Sequence, residues 1–251
     1  MEFNDKIALV TGASSGIGEA TAIRFAQEGA TVAAVARRIE KLQELQEHTK
    51  NIHPFSADLR NPEETSACVD SIVKKLGGID IVVHAAGIIG SGSIETTTLK
   101  DWDVMMDINL RSIFHLTQLC LPELIARKGN IVCVSSVAGL RSFPGILSYS
   151  VSKAALDQFT RCTALELASK SVRVNAVNPG VVVTQLHRSG GMGEDQYKAF
   201  LERSTTTHPL GRVGSPHEIA DLILFLASSK ASWITGLTAS IDGGRALTCA
   251  R

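Results

Sequence analysis

The run Lys6-Ile7-Ala8-Leu9-Val10-Thr11 is followed without a spacer by Gly12-Ala13-Ser14-Ser15-Gly16-Ile17-Gly18. A short apolar run with no polar alternation fits a strand covered on both faces, the usual situation in a parallel sheet. A helical pattern then runs through Ala20, Ile23, Phe25 and Ala26 to Gly29, and Thr31 to Ala36 reads as a second strand. Two strands joined by a helix pair in parallel, because that connection needs a crossover of helical length. The first 36 residues therefore commit the chain to an α/β architecture.

The rest repeats the alternation. Further strands are expected at 51–56, weakened by Pro54, and at 79–84, 130–135, 172–178 and 237–241. Helices are expected at 37–50, from Pro62 onward, and over about 100–128, with a break near Asn109 and a kink at Pro122. Others follow at 149–169, 195–203 and 216–228. No Pro/Gly/Ser linker divides the chain, and no repeat or low-complexity segment stands out. The expectation is one domain, 1–251: a Rossmann-type doubly wound parallel sheet of about seven strands, with helices on both faces. Ligands in such folds bind outside the carboxyl ends of the strands. Thr11, Ala36, Asp58, His84, Ser135 and Asn178 end strands, so the residues after them should share one crevice.

Bulk properties exclude some functions. Lys plus Arg number 25 and Asp plus Glu number 25, so net charge is zero. No basic run invites a nucleic acid or a membrane surface. No apolar run reaches the roughly 18 residues of a membrane span. The five cysteines lack zinc or disulfide spacing, so reduced thiols, no metal site and a cytoplasmic location are expected.

Two features carry chemistry. Glycines at 12, 16 and 18 let the backbone turn tightly after the first strand and approach a pyrophosphate, which the helix N-terminus favours. Tyr149 and Lys153 lie four apart, on one face of a helix. A nearby cation lowers a phenol pKa, so the pair reads as a general acid/base with its tuner.

Taken with their order, these motifs resemble the classical short-chain dehydrogenase/reductase family over nearly the whole chain. Thr11-Gly12-x-x-x-Gly16-Ile17-Gly18 is similar to the family's cofactor turn, with Ser14 and Ser15 inside it. Ala85-Ala86-Gly87 resembles the end of its Asn-Ala-Gly motif, with His84 in the Asn place as a structural substitute. Asn109, Ser136, Tyr149 and Lys153 match its catalytic tetrad in type, order and spacing. Pro179-Gly180-x-Val182-x-Thr184 resembles its nicotinamide-side motif, and Gly236 with Asp242-Gly243-Gly244 its last-strand signature. The resemblance implies that Tyr149 exchanges a proton with a carbonyl oxygen and that Ser136 polarises the same oxygen. It also implies that Lys153 tunes Tyr149 and holds the nicotinamide ribose, while Asn109 breaks its helix and holds a water. A ketone/secondary alcohol oxidoreductase follows. A 3-oxoacyl-thioester reductase and a catalytically silent dinucleotide-binding sensor or scaffold stay open beside it. The family habit further implies a homotetramer, with a dimer second.

Cofactor choice turns on the end of the second strand. Ala36 stands where an acidic residue would favour NAD(H), and Arg37 and Arg38 follow. Guanidinium groups suit a 2′-phosphate, so NADP(H) is preferred, with NAD(H) the alternative. Asp58 and Leu59 should meet the adenine. Residues 185–215, with Gly190, Gly191 and Gly193, suit a substrate lid. Leu140, Phe143 and Ile146 point to a mainly uncharged, apolar carbonyl substrate, although Arg141 and Arg188 lie close in sequence. His53, His115 and His187 read as ordinary surface or loop residues.

Overall fold

The computed structural model describes residues 1–248; Cys249, counted above among the thiols, and the last two positions of the expected domain lie outside the described residues. Among the described residues, seven parallel strands form one sheet in the order β3-β2-β1-β4-β5-β6-β7. They are β1 Ile7–Thr11, β2 Thr31–Ala36, β3 Ile52–Ser56, β4 Ile81–His84, β5 Asn130–Val134, β6 Arg173–Pro179 and β7 Thr238–Ile241. The order reverses between β1 and β4, which is where a doubly wound sheet opens its ligand crevice. Successive side chains of a strand point to opposite faces, and the core divides accordingly. Ala8, Val10, Val32, Ala34 and Val83 pack into one apolar layer, whereas Leu9, Ala33, Val35 and Val82 pack into the other.

The first layer is closed by α1 (Gly16–Gln27), α2 (Ile39–His48) and α10 (Pro216–Ala227), through Phe25, Leu42 and Ile223. The second is closed by α3 (Pro62–Leu76), α5 (Ser112–Arg127) and α7 (Leu147–Leu167), through Ile72, Leu116 and Leu156. Local chemistry sets the starts of these helices. Asn61 accepts from the Glu63 and Glu64 amides with Pro62 at the first helical position, and Ser215 and Glu218 form a reciprocal cap with Pro216 beside it.

The long helix expected over 100–128 is indeed interrupted at Asn109. It consists of α4 (Leu99–Met106), one π turn at Asp107–Arg111, and α5. Pro122 lies inside α5, where its missing N–H leaves the Gln118 carbonyl without a helical donor. Two short helices finish the site region: α6 (Val137–Leu140) and α8 (Leu186–Ser189), the latter leading to α9 (Glu194–Thr207). Among the described residues no helix is long and apolar enough to cross a membrane.

Candidate active site

A cleft of about 1240 Å³ runs along the carboxyl ends of the strands. Its floor at one end is the glycine turn. Gly12 has φ +66, and a Cβ there would meet the Ala85 carbonyl oxygen and the Ala86 Cα at 2.9 Å. A Cβ on Gly18 would lie 2.4 Å from the Gly12 oxygen. Neither position admits a side chain, so the turn keeps bare backbone toward the cleft. The opening N–H groups of α1 have no carbonyl one turn earlier to bind, and Ser15 supplies no side-chain cap. That cradle fits a pyrophosphate.

Thr11 ties the turn to the next wall. Its Oγ1 accepts from the Ala85 and Ala86 amides, both at 3.0 Å, and donates to the Val83 carbonyl at 3.3 Å. The adenosine end is marked by Arg37 and Arg38 after β2, both exposed and both lining the cleft. Arg38 Nη2 donates to Ser14 Oγ at 3.1 Å, which brings a guanidinium onto the glycine turn. Asp58 and Leu59 line the same end. Arg60 grips the Asp58 carboxylate, with Nε 3.0 Å from Oδ1, and this bond chiefly holds the Asp58 pKa below its usual value.

The reactive end is built from three elements. Ser136 caps α6: its Oγ accepts from the Ala138 amide at 3.1 Å, leaving the hydroxyl hydrogen to donate elsewhere. Tyr149 and Lys153 come from the first turns of α7, both buried, and both line the cleft with Ser136. Burial raises the Tyr149 pKa, and a hydrogen bond with Ser136 opposes that rise. The Lys153 ammonium lies 5.8 Å from the Tyr149 ring centroid and donates to the Val134 carbonyl at 2.8 Å. Burial pulls its pKa down to about 8. The phenol-lowering effect expected of Lys153 is therefore not what this geometry shows. Desolvation governs Tyr149, and Ser136 is the group that offsets it.

Of the residues expected to form the site, two lie one layer behind its wall. Asn109, in the π turn, is buried and reads both backbone groups of Ile88: Oδ1 accepts from its N–H at 2.9 Å and Nδ2 donates to its carbonyl at 3.0 Å. Nδ2 also reaches Ser152 Oγ at 3.0 Å, so its amide hydrogens are committed. Any water it holds must use the second lone pair of Oδ1 or the backbone carbonyl. His84 is the second. It is buried, does not line the cleft, and its Nε2 lies 2.9 Å from Thr117 Oγ1 of α5. Burial pushes its pKa down to about 3, so it is neutral. It braces α5 from behind the wall, a structural role, and does not reach the cleft in which a cofactor would lie. The remaining expected residues, Gly12, Ser14, Ser15, Gly16, Ile17, Gly18, Ala85, Ala86, Gly87, Pro179, Gly180, Val182 and Thr184, all border the cleft.

Sequence reasoning missed a buried polar truss under this site. Asn178, at the end of β6, donates to both Asp157 carboxylate oxygens at 3.0 and 2.9 Å and lies 3.0 Å from the Ser136 carbonyl. Asp157 sits one turn beyond Lys153, and the four-residue spacing is the one signal that could have found it. His208, also missed, accepts from the Val181 amide at Nε2 (3.1 Å), with Nδ1 2.7 Å from the Ser204 carbonyl. His187 corrects another expectation. It lines the cleft, packs against Phe200 with the rings tilted and their centroids 4.6 Å apart, and has its pKa lowered by burial.

Comparison with known proteins agrees with this geometry. A family model described as Enoyl-(Acyl carrier protein) reductase matches residues 12–246. The 3-oxoacyl-[acyl-carrier-protein] reductase of Thermotoga maritima is 39% identical over 249 residues, 97% of this chain and 99% of that protein. A crystal structure of a Caenorhabditis elegans short-chain dehydrogenase/reductase with cofactor, of unknown function, superposes with TM-score 0.93 at 35% identity. It covers 100% of this chain and 98% of its own.

The chain belongs to the short-chain dehydrogenase/reductase family. It is accordingly a nicotinamide-dependent oxidoreductase acting on a small molecule. Relatives of different printed activity lie almost as near: glucose 1-dehydrogenase of Gluconobacter oxydans is 38% identical over 252 residues, covering 98% of this chain and 93% of that protein. The ligand-free aldohexose dehydrogenase of Thermoplasma acidophilum has TM-score 0.90 at 32% identity, covering 99% and 97% of the two chains. Family membership therefore does not choose a substrate.

Proposed function

We propose that the chain interconverts a ketone and a secondary alcohol with NADP(H). The observation that carries this reading is the convergence of Ser136, Tyr149 and Lys153 on one cleft whose other end holds the glycine turn and Arg37–Arg38. Fit to a dinucleotide is supported by Gly12 and Gly18, where a Cβ would collide with the Ala85–Ala86 and Thr11–Gly12 backbone and force the tight turn open. Ala36 offers no carboxylate to repel a 2′-phosphate, and Arg37 with the Ser14-linked Arg38 offers guanidinium donors for it.

The nicotinamide, when bound, supplies the hydride. The protein handles the other half of the reaction. Tyr149 stays protonated at neutral pH because burial disfavours its phenolate, so it can deliver its proton to the carbonyl oxygen as that oxygen gains charge. Ser136, with its acceptor side engaged by Ala138, is left to donate to the same oxygen and polarise the carbon. Lys153, with a pKa near 8, can move onto the ribose or toward the phenolate and restore the tyrosine proton. Asn109, locked to Ile88, fixes the wall that carries Gly87, where a Cβ would stand 3.6 Å from Lys153 Nζ.

The 3-oxoacyl-thioester reading is favoured by one observation, the 39% identity to a reductase of that name. A silent sensor has no need of Ser136 and Tyr149. We further take residues 185–215 as the substrate lid and the cytoplasm as the location. We expect a homotetramer built through α5, α7 and β7, with Phe114 and Leu165 exposed on the two helices and Leu237 exposed just before the strand. NADPH oxidation over a panel of ketones and 3-oxoacyl coenzyme A thioesters tests the function. Turnover of simple ketones supports the first reading, thioesters alone the second, and cofactor binding without any turnover the silent one. A monomer by light scattering would refute the assembly.

A further inference from the structure

The chain has no net charge, yet its cleft is strongly biased. Among the described residues lining it, Asp58 is the sole carboxylate, and Arg60 holds that one at the adenosine end. At the opposite end, beyond Ser136 and Tyr149, three arginines border the same space: Arg141, Arg203 and Arg245. They come from three separate elements, namely the end of α6, α9, and the turn after β7.

None of the three forms an ion pair with a carboxylate of the described residues. Arg141 Nη1 donates to the carbonyls of Arg245, Ala246 and Thr248. Arg245 Nη1 donates to the Thr207 carbonyl at 3.2 Å, and its guanidinium carbon lies 5.1 Å from the Phe143 ring centroid. Carbonyls orient a guanidinium without neutralising it, and each guanidinium has five donors. The nearby carboxylate, Asp242, is committed to the Gly244 and Ala246 amides. Burial chiefly lowers the Arg245 pKa, with the Arg141 and Arg203 charges adding to the fall and Asp242 opposing it. Arg188 differs: it is paired with Glu194 at 2.8 Å and does not line this cleft.

We propose that the substrate end of the cleft is an anion site, in which Arg203 and Arg245, backed by Arg141, bind a carboxylate or phosphate borne by the carbonyl substrate away from its reacting carbon. This rests on the reductase reading of the same cleft. It replaces the uncharged substrate that Leu140, Phe143 and Ile146 suggest from sequence. The scale is compatible with a compact molecule. Arg141 is five residues beyond Ser136, roughly 7 Å at helical rise, and an arginine side chain can shorten or extend that span. Phe143, Ile146 and Met192 then line an apolar stretch between the carbonyl and the anion.

The test pairs oxo carboxylates of increasing length with their methyl esters, and adds one oxo-alkyl phosphate. The wild-type protein should turn over the acid with kcat/KM at least tenfold above its ester. Arg203→Glu, on the exposed face of α9, should lower that acid-to-ester ratio at least tenfold, chiefly through KM. Carboxylate and phosphate arms identify which anion is read. A second arm needs no turnover: calorimetry of the NADP-loaded protein with a saturated carboxylate of matched length, against its ester. An acid-to-ester ratio near one, unmoved by Arg203→Glu, would overturn the anion site and leave the reductase reading standing. Carboxylate binding lost in Arg203→Glu, without reduction of any carbonyl, would uphold the anion site and sink the reductase reading.

Discussion

Thr11→Val tests how the cofactor wall is held. Valine keeps the branched shape of threonine and replaces the hydroxyl by a methyl. Thr11 is buried, and its oxygen makes three bonds: it accepts from the Ala85 and Ala86 amides and donates to the Val83 carbonyl. At about 1 kcal/mol net per bond the change should cost about 3 kcal/mol of stability. For a chain of this size that corresponds to a fall in Tm of roughly 6–12 °C. The damage should be local as well. Ala85 to Gly87 border the cleft, and with the Ala85 and Ala86 amides released the KM for the dinucleotide should rise more than the KM for the carbonyl substrate. Urea denaturation with steady-state kinetics reads both effects, and Thr11→Ser, which keeps the oxygen, should recover most of the loss. A Thr11→Val protein within about 0.5 kcal/mol of wild type would show that the three bonds are replaced by water, and would refute the bracing role.

Other expected outcomes follow from single observations. Arg37→Asp should reverse or erase a preference for NADPH in kcat/KM, by about 10–100-fold for one lost charged bond, and an unchanged NADPH/NADH ratio would leave Arg37 a surface charge. Gly18→Ala places a Cβ 2.4 Å from the Gly12 oxygen and should weaken dinucleotide binding at least tenfold by calorimetry; unaltered affinity would show that the turn is free to yield. Burial holds the His84 pKa at about 3 against an ordinary 6.5, so the unfolded chain binds more protons between those values. The stability due to neutral His84 is thus complete above about pH 6.5 and is lost as pH falls toward 3. His84→Asn should flatten the stability curve across that window in urea titrations, and an unchanged slope would mean that His84 is protonated in the folded protein.

Much of this architecture could be read from residue order. Period-two and period-3.6 apolar patterns report which face a residue buries, and Ala8/Leu9 and Val82/Val83 do divide between the two core layers. The third strand, expected at 51–56, spans Ile52–Ser56 despite Pro54, since it is an edge strand that can lack one donor. Asn109 could be placed at a helix break, but not in a π turn, because the extra residue leaves no mark on the apolar period. The Asp157–Asn178 pair, the arginines at 141, 203 and 245, and the neutral role of His84 were hidden for a different reason. Each depends on groups far apart in sequence meeting at the strand ends, which only the sheet order brings about. Spacing shows a neighbouring Lys153 and so suggests a lowered Tyr149 pKa, but it does not show the burial of both, which turns the shift upward.

The most direct measurement follows the hydride. The wild-type protein is supplied with NADPH carrying deuterium at the transferable C4 position and with an oxo carboxylate, and the alcohol is examined by NMR. One deuterium on the carbinol carbon, and its loss in Tyr149→Phe, is the result expected if Ser136, Tyr149 and Lys153 serve hydride transfer to a carbonyl. A wild-type protein that binds NADPH yet leaves every oxo compound unlabelled would contradict that account.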